Sequence, residues 1–328
     1  MLQIPLRVGV VGVGHLGSRH AEIYASMPGV RLAAICDIDA AKARALARTL
    51  RCRAVTNAQD LWGLIDAASL AVPTSRHASV GLPLLRHGIH LLIEKPITTT
   101  LAQADALIRT AARRRCVLQV GHVERFNAAI HAATRYLTHP RFIEVHRLSP
   151  DPFRGTDVSV VLDVMIHDLD LILALVRSPV RRLSAVGVPA LSKSEDIANA
   201  RVEFASGCVA NLTASRISDE TIRRIRVFQE ESYLSIDYKS QTVELARRRG
   251  RTIQRVNLPV NQRPPLQDEL ASFVRSVVSR RAPVVSGEEA RAALALALRI
   301  EHTMRRRGRV SVSQRKTTGI RHTSPLFR

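Results

Sequence analysis

Leu6-Arg7-Val8-Gly9-Val10-Val11-Gly12-Val13-Gly14-His15-Leu16-Gly17 is the stretch on which the fold turns. Leu6–Val11 is a short β-branched run ending in glycine, and Leu16–Ala25 behind it reads as a helix. The Gly12-x-Gly14-x-x-Gly17 spacing between them suits a phosphate-binding turn. Gly12 permits the tight turn, Gly14 lets backbone approach a pyrophosphate, and Gly17 lets helix and strand pack closely. His15 and Leu16 then open a helix whose N-terminus attracts phosphate. Asp37 lies twenty residues beyond Gly17, at the end of the next strand. A carboxylate there accepts hydrogen bonds from ribose hydroxyls and repels a 2′-phosphate, so NAD is expected rather than NADP.

Strand and helix patterns alternate outward from this turn. Strands are expected at Arg31–Cys36, Ala67–Val72, Ile89–Ile93 and Val117–Gly121, and helices at Ala40–Leu50, Ala78–His87 and Leu101–Arg113. Such alternation argues for a parallel sheet covered on both faces. After Phe126 the pattern changes. A helix at Ala128–Leu137, a strand near Phe142–His146 and a helix at Val160–Leu175 precede successive strand-like segments from Val180 to about Val256. Strands without intervening helices suggest an antiparallel sheet. Helices at Leu266–Arg280 and Gly287–Glu301 close the chain, the second opening with the capping box Ser286-x-x-Glu289. The expected fold is therefore an α/β Rossmann domain, residues 1–122, followed by a C-terminal α+β domain with an open, mainly antiparallel sheet, residues 123–304. Its last helix could pack back on the first domain. Residues 305–328 read as a basic, weakly ordered tail in which Arg309–Ser313 alternates like a short strand.

Several polar residues fall where such a fold binds ligands. Val72, Pro73 and Thr74 end a strand at the crevice, and His77 follows. Glu94-Lys95-Pro96 follows another strand, from which the Lys95 ammonium would steady an alkoxide as hydride leaves. Asp163 and His167, four apart in an expected helix, share a face, so the carboxylate would orient the imidazole as a general base. Each has an ordinary alternative taken alone: a proline-stopped turn, a surface lysine, a solvated ion pair. Asp163, Asp168 and Asp170 do not converge on one helical face, so no metal site is expected there.

Taken in order, Gly12–Gly17, Asp37, Val72-Pro73-Thr74, Glu94-Lys95-Pro96 and Asp163-x-x-x-His167 resemble the glucose–fructose oxidoreductase/inositol dehydrogenase/MocA-like family over about residues 6–302. The resemblance implies an NAD-dependent dehydrogenase. Lys95 and His167 would be its acid–base groups, supported by Asp163, and the second-domain sheet would serve for homo-oligomerisation. Gly121-His122-Val123-Glu124-Arg125-Phe126-Asn127 and Val161 to Asp170 resemble a branch of that family that oxidises the 3-hydroxyl of UDP-N-acetylglucosamine for lipid A biosynthesis, although Ala128 stands where that branch has proline. This would place His122 beside the cofactor and offer Arg125, Arg147 and Arg154 to a diphosphate, since arginine suits phosphate geometry. Other substrates in the same class are a cyclitol, a free sugar or a nucleotide-sugar acid. A non-catalytic NAD-binding regulator is disfavoured by the intact Lys95, Asp163 and His167.

Composition bounds the remaining classes. The chain has 328 residues, 46% of them hydrophobic, enough for two cores. A net charge of +21 suggests nucleic acid or a membrane surface, but the arginines are spread along the chain and aromatics make up only 4%, too few for stacking platforms. No nucleic-acid partner is expected. Nor is membrane insertion, because no apolar run approaches the roughly 18–20 residues of a transmembrane helix. Cys36, Cys52, Cys116 and Cys208 form no C-x-x-C pair, which fits free thiols in a cytoplasmic protein without a signal peptide.

Overall fold

The computed structural model describes residues 4–150 and 159–317, with the side chains of 307–317 left aside. Its first half is a six-stranded parallel sheet in the order β3-β2-β1-β4-β5-β6. The strands are β1 (Leu6–Val11), β2 (Val30–Cys36), β3 (Arg53–Val55), β4 (Ala67–Leu70), β5 (His90–Glu94) and β6 (Leu118–Gly121). The order reverses between β1 and β4, the switch point at which such sheets bind ligands. Only β3, a three-residue edge strand, lacks a hydrophobic run long enough to read from sequence.

Helices α1 (His15–Ser26) and α2 (Ala40–Leu50) cover one face of this sheet, and α3 (His77–Arg86) and α4 (Leu101–Arg114) the other. Asp39 caps α2 through the amides of Ala41 and Lys42, and Thr100 caps α4, satisfying N–H groups that would otherwise have no partner.

The second half is an eight-stranded sheet, β14-β13-β12-β11-β7-β10-β9-β8. Its strands are β7 (Phe142–Leu148), β8 (Val180–Val188), β9 (Ile197–Phe204), β10 (Val209–Ser215), β11 (Ile222–Phe228), β12 (Ser232–Asp237), β13 (Thr242–Arg249) and β14 (Thr252–Asn257). All its pairings are antiparallel except β7 with β10. Burial alternates along β7, β9 and β10, as expected of strands with one covered face. Ile143, Val145, Ala200, Val202 and Leu212 point into a core closed by α5 (Ala128–Thr134) and α6 (Ile166–Val176).

The last two helices join the halves. From α7 (Pro265–Ser279), Leu270 and Phe273 pack into the core beneath α1 and α2. From α8 (Gly287–Thr317), Ala290 and Leu294 join the first domain's other core while Leu296, Ala297 and Ile300 join the second's. Ser286 and Glu289 form the reciprocal capping box. The helix continues through Arg309–Ser313, where a short strand is expected from alternation; continuation of an already nucleated helix outweighs that weak local signal. Among the described residues no helix is long and apolar enough to cross a membrane.

Candidate active site

The glycine turn is built as its spacing demands. Gly12 has a φ of +85°, and a Cβ there would lie 2.8 Å from the backbone of Ala71 and Val72. A Cβ on Gly17 would collide with the carbonyl oxygen of Gly12. Gly14 N-caps α1 without a side-chain hydrogen bond, and the space above it is open. The first-turn amides are thus left for an anion. Asp37 Oδ2 accepts from Val13 N at 2.7 Å, which fixes the carboxylate beside the turn while leaving it half-exposed. Val72 and Pro73 follow β4 beside the glycine turn, and Thr74 opens a short 3-10 turn after them. These residues fit a dinucleotide: free amides for phosphate, a carboxylate for ribose and an open floor. His77 departs from its expected place. It is buried, with Nε2 2.9 Å from the Val72 carbonyl and Nδ1 3.0 Å from that of Pro96, so it braces two strand ends rather than facing the crevice.

A cleft of about 570 Å³ lies between the halves and is lined by His15, Leu16, Glu94, Lys95, Asp163 and His167, among others. A roomier groove of about 780 Å³, between Pro28–Gly29 and α7, contains none of these groups. Lys95 reaches across from β5 to donate to the Asp163 backbone carbonyl at 2.7 Å and to Asp163 Oδ1 at 3.1 Å. The expected Asp163–His167 pair is therefore replaced by an Asp163–Lys95 pair. The reason is local: Val161–Met165 is a turn of π-helix, in which Ile166 N donates five residues back to Val161. The wider turn breaks the four-residue stacking of an α-helix and leaves the Asp163 carbonyl to Lys95.

His167 borders the cleft, and its Nδ1 is buried without a hydrogen-bond partner among the described residues. Burial, reinforced by the Lys95 and Arg147 cations, holds its pKa well below the ordinary imidazole range, so the ring is neutral at neutral pH. His122 stands edge-on to it, ring centroids 6.1 Å apart, and burial lowers its pKa to about 3. His122 is 1% exposed, so it backs His167 instead of opening to a cofactor.

The arginines divide differently from expectation. Arg147 sits on the covered face of β7, 5% exposed, with Nε 2.9 Å from Asp168 Oδ2 and Nη2 3.1 Å from Glu124 Oε1. The Tyr238 hydroxyl donates to Asp168 Oδ1 at 2.6 Å. With both carboxylates engaged, Arg147 is an internal strut. Arg125 points away from the cleft to Glu289 at 2.9 Å and to the Val284 carbonyl. Its longer contact, to Asp170 at 3.5 Å, only partly offsets burial, which pushes that carboxyl up to about 7. Arg154 lies outside the described residues.

Other residues reach the cleft without a sequence signal. Arg19, Arg223, Lys239 and Glu269 line it from α1, β11, the turn after β12 and α7. Arg223 is there because it pairs in register with Arg147, a fact of sheet topology. His20, Glu94 and Glu269, all buried, also bring three potential metal-ligating groups together, where the sequence suggests no metal cluster.

The residues 6–122 match the oxidoreductase family with an NAD-binding Rossmann fold, and residues 128–235 match the C-terminal domain model of the GFO/IDH/MocA family. The chain belongs to this family. As a member it is an NAD-dependent oxidoreductase. It is 37% identical over 308 residues to the UDP-N-acetylglucosamine 3-dehydrogenase of Acidithiobacillus ferrooxidans, covering 90% of this chain and 96% of that one. A solved structure of the same Acidithiobacillus enzyme superposes with a TM-score of 0.87 at 37% identity, covering 92% and 98% of the two chains. The myo-inositol 2-dehydrogenase of Thermotoga maritima is 26% identical over 313 residues, 89% of this chain and 94% of that one.

Proposed function

We propose that this family member oxidises the 3-hydroxyl of a UDP-sugar, UDP-N-acetylglucosamine, to the 3-keto sugar. The observation that carries the reading is the convergence of Lys95 from the first domain and His167 from the second on one cleft, in a chain 37% identical to an enzyme of that name. Bound NAD+ supplies the hydride acceptor. Gly12, Gly14, His15, Leu16, Gly17 and Asp37 would hold it, with Val72, Pro73 and Thr74 alongside. Neutral His167 accepts the hydroxyl proton as the C3–H bond gives up its hydride. Lys95 has three N–H donors and uses two on Asp163, leaving one for the substrate oxygen as its charge grows. Asp163 acts on Lys95, aiming it.

The cleft also suits a diphosphate. Arg19 and Lys239 make no ion pair among the described residues, and Arg223, 48% exposed, reaches only Glu124 at 3.9 Å. These three are proposed as phosphate-binding candidates ahead of Arg125 and of Arg147, which lines the cleft but is already paired with Asp168 and Glu124, while Arg154 lies outside the described residues. The proposed boundary between the cofactor half and the substrate half falls at residue 122. A homo-oligomer is proposed through the uncovered face of the second sheet, where half-buried polar pairs such as Arg226–Glu144 would meet a second copy. A cytoplasmic site and a role before amination of the sugar in lipid A synthesis accompany this reading.

The test is NADH absorbance with NAD+ and a panel of UDP-N-acetylglucosamine, UDP-glucose, myo-inositol and free sugars. UDP-N-acetylglucosamine should give the highest kcat/KM, with a kinetic isotope effect when C3 carries deuterium. Turnover of inositol with none of the UDP-sugar overturns the reading.

A further inference from the structure

We propose that His20, Glu94 and Glu269 share a buried proton, held on Glu269, and that this clasp positions the Glu94–Lys95 turn at the mouth of the cleft. The three come from α1, the end of β5 and α7, and their ligating atoms all lie within 4.8 Å of one another. His20 Nε2 is 3.4 Å from Glu94 Oε1. Glu269 is fully buried, and neither of its oxygens has a hydrogen-bond partner among the described residues; beyond the 3.4 Å approach to Glu94, the His20 nitrogens have none either. Gly121 makes the space, because a Cβ there would lie 2.8 Å from the Glu94 carboxylate.

Two ionised carboxylates this close, away from water, repel each other, and the surroundings offer little to neutralise the second. The facing groups are Tyr24 on α1, His77 on α3, Lys95 beside Glu94, Gln119 and His122 around the end of β6, and Glu124 in the following turn. Only Lys95 among these is a cation, and Asp163 already holds it. Burial and the neighbouring Glu94 and Glu124 charges raise the Glu269 pKa well above the carboxylate range, in keeping with a retained proton.

The link to chemistry runs through Glu94. Its Oε2 accepts from the Lys95 backbone amide at 3.3 Å, so whatever fixes the Glu94 carboxylate fixes the root of the Lys95 side chain. His20 and Glu269 are thus positioning residues. Because Glu269 belongs to α7, the clasp also ties the helix that follows the second sheet to the catalytic strand end of the first.

The test compares Glu269→Gln with Glu269→Ala. The carboxamide keeps an N–H donor where the acid carries its proton, so Glu269→Gln should retain most of the wild-type kcat. Glu269→Ala should lose about tenfold to a hundredfold in kcat, as expected of a misplaced catalytic group, with KM for NAD+ little changed. Infrared difference spectra, wild type minus Glu269→Gln, should show the carbonyl stretch of a protonated carboxylic acid at neutral pH. This arm needs no substrate, so it stands even if the nucleotide-sugar reading fails, and it decides the matter should Glu269→Ala not fold. Absence of that band overturns the proposal, as does a Glu269→Gln enzyme as slow as Glu269→Ala. Stoichiometric zinc or manganese retained by the wild-type protein after desalting, and lost in Glu269→Gln, also overturns it in favour of a metal site.

Discussion

Replacing Arg147 by methionine should damage the fold far more than it damages substrate binding. The guanidinium makes three hydrogen bonds of 2.9–3.1 Å, two to Asp168 and one to Glu124, in a site where it is 5% exposed. Methionine fills most of the volume but leaves Asp168 without its cation and Glu124 with only the distant Arg223 at 3.9 Å. Removing one member of a buried ion pair costs about 3–5 kcal/mol, because the remaining charge stays desolvated. The Tyr238 hydroxyl still donates to Asp168, which places the expected loss toward the lower end. Adding Asp168→Asn to Arg147→Met removes one orphaned charge, so the double variant should recover part of the loss, with a coupling of about 1–3 kcal/mol between the sites. Urea unfolding of the wild type, both single variants and the double variant measures this cycle. KM for the UDP-sugar measured alongside separates the roles. An unchanged urea midpoint with a tenfold rise in that KM would refute the strut and return Arg147 to the substrate.

Lys95→Met and His167→Ala should each lose about 10²–10⁴ in kcat while still binding NAD+, a result checked by turnover and NAD+ titration, with thermal melts as folding controls. Acid should destabilise the protein through His122. Its folded pKa of about 3 lies below the unfolded value of 6.5, so the unfolded state takes up the proton first and stability falls as pH drops from 6.5 toward 3. Melts across that range should show a shallower fall in His122→Gln. Because the His167 pKa is also depressed, kcat should hold its plateau below the ordinary imidazole range, and an acid limb centred near 6.5 would count against the buried neutral base. Asp37→Ala should narrow the preference for NAD+ over NADP+, read as the ratio of the two kcat/KM values.

The first half of the fold was legible because its signals are local. A β-branched run ending in Gly12-x-Gly14-x-x-Gly17, with Asp37 at the next strand end, describes a turn whose geometry depends on residues a few positions apart. The switch from strand–helix alternation to successive strands likewise announced the second sheet, and Ser286 and Glu289 announced the start of α8. Lys95 and His167 could be named because each lies beside a short motif. Their partners could not. Asp163 pairs with Lys95, 68 residues away, because a π turn redirects it, and periodicity assumed from an ordinary helix conceals that. Arg125 and Arg147 read as free phosphate ligands, since sequence carries charge but not the carboxylates that burial brings to it. Arg223 entered the cleft through strand register with Arg147, and Glu269 met His20 and Glu94 only when α7 folded back over the first domain. Backbone conformation and cofactor shape follow from neighbours along the chain. Which charges are neutralised, and which are left to meet a substrate, depends on contacts between distant segments, and these only the tertiary structure decides.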